Sequence, residues 1–79
     1  MLDEAIIDFK KAIESYPQNS MAFFYLGKCY EKNGQKNLAA ESYQTALSLL
    51  QKGYLHREAY FEVFDAISIE MVEDHLALL

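Results

Sequence analysis

Ala5, Phe9 and Ala12 recur as Ala39, Tyr43 and Ala46, each pair 34 residues apart. A fixed offset of this length within 79 residues means that one supersecondary unit occurs more than once. Such a chain is expected to stack helical units side by side rather than close a single core, and to bind rather than catalyse.

The local patterning agrees. Leu2, Ala5, Ile6, Phe9, Ala12, Ile13 and Tyr16 fall at three- and four-residue intervals and predict a helix over 2–15 with one apolar stripe. Asp3 and Glu4 suit its positive end. Pro17 lacks an amide hydrogen and biases Tyr16 away from helical angles, so it stops the helix near Ser15. Asn19 or Ser20 is placed to cap a second helix over 20–33, which Asn33-Gly34 ends. A third helix over 37–51 carries Leu38, Ala39, Tyr43, Ala46, Leu47 and Leu50. Tyr60, Phe64, Ile67 and Met71 predict a fourth over 57–72 or beyond, and periodicity leaves open whether it breaks near Ser68 or Asp74.

The second and third helices together read Phe23-x2-Leu26-Gly27-x2-Tyr30, then Ala39-x3-Tyr43-x2-Ala46. This resembles the tetratricopeptide repeat, a helix–turn–helix unit of about 34 residues. Residues 20–53 make the complete unit, and Ala5-x3-Phe9-x2-Ala12 followed by Pro17 makes the back half of a preceding one over 2–17. That half is the second helix of a pair whose first helix is not in the sequence. The resemblance implies packing roles: Gly27 and Ala39 are small where paired helices cross, Phe23, Leu26 and Tyr30 fill the gap, and Tyr43 and Ala46 face the next unit. A third unit aligns only at an offset of 37, which requires three extra residues around Gln51–His56 and puts Phe64 where Gly27 should recur. Residues 54–79 are therefore expected to cap the array, since terminal repeats depart from the pattern. The expected fold is all-α: a tetratricopeptide-like solenoid of about four helices in a single domain, 1–79, one complete repeat flanked by a half repeat and a capping helix.

The resemblance also implies a concave groove lined by the first helix of each unit. Phe24, Lys28 and Glu31 would face it, with Phe61, Asp65 and Ser68 opposite by the 37-residue alignment. Phe24 and Phe61 would form an aromatic floor, and Lys28 and Asp65 would pair with each other or with a partner's charges. The Lys, Asn and Arg clamp with which some members hold a C-terminal carboxylate is not visible. The expected function is recognition of a peptide or helix of a partner protein, with self-association through uncovered helix faces as a second mode. The alternative is a purely structural or self-assembly segment of a longer solenoid.

Charge narrows the partners. The net −5 resides entirely in residues 54–79, where six acids meet Arg57 alone, while 1–53 are neutral. Such a surface repels phosphate backbones and anionic lipids, so neither nucleic acid nor membrane is an expected partner. No apolar run reaches the roughly 18–20 residues of a membrane span. Cys29 has no second cysteine to pair with, and it is expected on the packed side as an inert thiol in a cytoplasmic protein. Glu70, Asp74 and His75 lack the spacing of a metal site, and the three glycines are too dispersed for a phosphate loop. Both histidines read as solvated. No cofactor, metal or enzymatic activity is expected.

Overall fold

A computed structural model describes residues 2–52 and 68–79. Within them are four helices: α1 (Leu2–Ser15), α2 (Ser20–Lys32), α3 (Lys36–Gln51) and α4 (Ile69–Leu78). No strand occurs among the described residues. The first three helices fall within a residue of where the sequence puts them.

The turns form for local reasons. At the α2 N-terminus, the Asn19 Oδ1 accepts a hydrogen bond from the Ala22 backbone amide at 3.0 Å, satisfying one otherwise orphaned donor. At its C-terminus, Gly34 takes a left-handed φ of 77°. The Gln35 amide donates to the Tyr30 carbonyl at 2.9 Å, and the Gly34 amide to that of Glu31 at 3.1 Å. These are the paired bonds of a Schellman motif, which glycine enters without a Cβ penalty. The chain thus reverses tightly, and α3 folds back on α2.

One core runs through the three helix interfaces. Ile6, Phe24, Leu26, Tyr30, Ala39, Tyr43, Ala46, Leu50 and Val72 form it, with Phe9, Ile13, Phe23 and Leu76 among the half-buried side chains packed against it. Its centre is Tyr43, with 0 % of its surface exposed. A Cβ built on Gly27 would lie 2.7 Å from two atoms of the Tyr43 ring. Gly27 is therefore small because the ring occupies the space that any side chain would need.

The fourth helix is where the structure departs from the sequence pattern. Ser68 is extended (φ −111°, ψ 160°), so no helix passes through it. Its hydroxyl oxygen instead accepts from the Met71 amide at 3.1 Å and caps α4. Of the two breaks left open for the segment 57–72 or beyond, the one near Ser68 occurs: a helix starts at Ile69 and continues past Asp74. Periodicity could not choose between the two because serine caps a helix through a hydrogen bond, which leaves no trace in the spacing of apolar residues. Residues 57–67 of that expectation, with Phe61, Phe64 and Asp65, lie outside the described residues.

α4 packs on α3 in the way that α2 packs on α1. Val72, His75, Leu76 and Leu79 lie 50 positions after Ala22, Tyr25, Leu26 and Cys29, at the same helical spacing. Tyr25 meets Phe9 of α1 with ring centroids 6.0 Å apart. His75 meets Tyr43 of α3 at 5.3 Å, and Phe9 and Tyr43 are the 34-residue equivalents. Val72 is fully buried and Ala22 nearly so. Among the described residues, the helix that packs on α3 beside α2 is thus 69–78.

Candidate protein-interaction site

The groove expected around Phe24 is already filled. Phe24 is 1 % exposed. The His75 imidazole meets its ring edge-on at 5.2 Å, and Tyr25 and Tyr43 pack on it at 5.4 and 5.7 Å. Phe24 cannot serve as an exposed aromatic floor. The correction has a simple cause: α4 supplies an aromatic side chain to the face that sequence reasoning left open. His75, expected in solvent, is that side chain.

The polar groups beside it form a short network. The Tyr43 hydroxyl donates to Glu31 Oε1 at 2.7 Å. His75 Nδ1 stands 3.4 Å from that hydroxyl and 3.7 Å from Glu31 Oε1. Burial, then the hydrogen bond to the Glu31 carboxylate and its charge, push the Tyr43 phenol well above its usual range. Lys28 holds its ammonium 5.7 Å from the Phe24 ring centre and 5.5 Å from that of Tyr25, within cation–π range. Lys28, Glu31, Lys32 and His75 line a shallow hollow of about 230 Å³. Glu31 thus joins α2 to its neighbours through Tyr43 and His75, while Lys28 is half-buried over two rings of its own helix. Ser68 is committed to its cap, while Phe61 and Asp65 lie outside the described residues. Cys29 is half-buried rather than fully enclosed.

A second surface was hidden in the half repeat. Phe9 and Ala12 of α1, with Met21, Ala22 and Tyr25 of α2 and Asn19 between them, line a hollow of about 380 Å³. Its walls are almost wholly apolar, and the Asn19 carbonyl oxygen is engaged in the cap. Phe9 and Ala12 are the equivalents of Tyr43 and Ala46, which are fully buried and lie on the helix that packs against both α2 and α4. The hollow is therefore the place that a helix like α2 would occupy. Sequence reasoning found the uncovered stripe of α1. It missed the contribution of Met21, Ala22 and Tyr25, which follows from the way α2 sits on α1.

Residues 8–41 match the family model of the tetratricopeptide repeat. The match covers 34 of the 79 residues. The matched window spans one period, from the middle of α1 through Pro17 and α2 into α3, so it joins the half repeat to the complete one. The match places the chain among repeats that generally serve protein–protein interaction and are typically non-catalytic. Searches of curated proteins and of solved structures gave no match. Among the described residues, no group of three or more His, Cys, Asp and Glu side chains is arranged to hold a metal ion, and no helix is long and apolar enough to cross a membrane.

Proposed function

We propose that this tetratricopeptide repeat is a protein-interaction module that takes an amphipathic helix of a protein partner in the hollow between α1 and α2. The observation that carries the reading is the apolar lining of that hollow by Phe9, Ala12, Met21, Ala22 and Tyr25. The 34-residue equivalence supports it, because the corresponding face of α3 is the one on which α2 packs. Helix-in-groove recognition needs this kind of surface: an apolar trough that anchors side chains at three- and four-residue spacing. The incoming helix must carry a small residue opposite Phe9, as α2 carries Gly27 opposite Tyr43.

The α2 sequence itself is the natural probe. A labelled peptide of residues 19–33 is expected to bind the chain in a fluorescence-anisotropy titration. Ala12→Arg, which puts a long charged side chain into the hollow, should abolish that binding while circular dichroism shows unchanged helicity. Failure of the peptide to bind, or binding indifferent to Ala12→Arg, would remove the hollow as a helix seat.

A further inference from the structure

In repeat terms α2 and α4 are first helices, and each sits on the second helix before it: α2 on α1, α4 on α3. A helix that fills the hollow therefore stands to α2 as α2 stands to α4. At that α2–α4 boundary, α2 brings one carboxylate, Glu31, four residues after Gly27. Glu31 accepts from the Tyr43 hydroxyl at 2.7 Å and lies 3.7 Å from His75 Nδ1. It is the polar contact between one first helix and the next.

One repeat earlier, the same positions carry different chemistry. Tyr25 takes the place of His75, and Phe9 the place of Tyr43. Phe9 has no hydroxyl, so a carboxylate arriving there lacks that donor. A cation stands in its stead. The Lys28 ammonium is 5.5 Å from the centre of the Tyr25 ring, and Tyr25 lines the hollow. Lys28 is half-buried, and among the described residues no carboxylate comes within ion-pair distance of it.

We propose that the hollow selects a partner helix with Asp or Glu four residues after the small residue that faces Phe9, and that Lys28 reads this carboxylate. The proposal rests on the reading of the hollow as a helix seat. In the seated helix the small residue meets Phe9 as Gly27 meets Tyr43. The carboxylate lies one turn further on, on the same face, and reaches α2 as Glu31 reaches α4. Neither described first helix of a second copy fits this description. Gly27 and Phe24 of α2 are buried in their own chain. α4 carries Glu73 and Asp74 in the places of Phe23 and Phe24, and Ala77 in that of Gly27. The occupant is a helix of another protein. Apolar burial supplies its affinity, and the charge pair supplies the choice between partners. A helix with the same apolar stripe but Lys or Arg at the carboxylate position would bring two cations together.

Two labelled peptides of residues 19–33 test the pair: the native sequence, which carries Gly27 and Glu31, and its Glu31→Gln form. In an anisotropy titration the native peptide should bind the chain about fivefold more tightly than the Glu31→Gln peptide. The advantage should shrink as salt rises. It should vanish on a Lys28→Met chain, which keeps an aliphatic stem over the rings and loses the charge. Comparing the two chains also cancels any change in the helicity of the free peptide, which acts on both alike. Peptides of equal affinity, or an advantage that survives Lys28→Met, would overturn the proposal and leave the helix seat standing. Binding of neither peptide would remove the seat and the proposal together.

Discussion

α1 and α3 carry the same spacing of small and aromatic residues, yet they live in different surroundings. Ala39, Tyr43 and Ala46 of α3 are fully buried. Their equivalents Ala5, Phe9 and Ala12 on α1 are only half-buried. α3 is enclosed from both sides, by α2 with its Gly27 and by α4 with its His75. α1 is covered on one side alone. In a stacked repeat, burial belongs to the interface between neighbours, and an identical pattern has a different energetic value at the end of a stack than within it.

The largest expected effect tests this contrast directly. Tyr43→Ala removes a fully buried ring and should cost about 3–5 kcal/mol, a large share of what a chain of this size possesses. Phe9→Ala should cost far less, because its ring is part-covered only by α2. Urea denaturation of both variants measures the gap. Equal losses would mean that the α1 hollow is filled in solution, which is also what self-association would produce at high concentration.

Gly27→Ala comes next. The added Cβ would stand 2.7 Å from the Tyr43 ring. The ring cannot retreat, since Phe24 and His75 pack on it as well. A destabilisation of about 1–3 kcal/mol follows from such overpacking, although alanine is the better helix former. A thermal melt that rises on this substitution would mean that the α2–α3 crossing is looser than described.

The smallest effect concerns pH. The folded Tyr43 phenol holds its proton more tightly than an unfolded tyrosine does, because of burial and the Glu31 carboxylate. Above the ordinary tyrosine range, near pH 10, the unfolded chain therefore carries fewer protons than the folded one. Stability contributed by Tyr43 is complete below that range and falls as pH rises through it. Tyr43→Phe should flatten this alkaline decline. Denaturant midpoints collected across the alkaline range for the wild type and this variant test it.

Much of the fold was legible because it rests on short-range rules. Pro17 ends α1 by lacking an amide hydrogen, Asn19 caps α2, and Gly34 ends it by accepting a left-handed φ. The repeat pattern marked Gly27 as small for the α2–α3 crossing but turned Tyr43 toward the next unit, whereas its ring also fills the space beside Gly27. The site was less legible. Phe24 looked like a groove residue because the period assigns it to the concave face, but the period says nothing of what a later segment places there. His75 looked solvated because it stands among acids, yet its imidazole closes over Phe24 and Tyr43.

By itself, then, the sequence determined three helices, their turns and the pairing of α2 with α3, because caps, breakers and helical periodicity act within a few residues along the chain. Only the tertiary structure decided that a new helix starts after Ser68, that it takes the first-helix position on α3, and that the open apolar surface lies between α1 and α2. Those outcomes depend on contacts across 30 to 50 residues of chain, as between Tyr43 and His75. Contacts at that distance follow from which surfaces fit in space, and local pattern does not encode that fit.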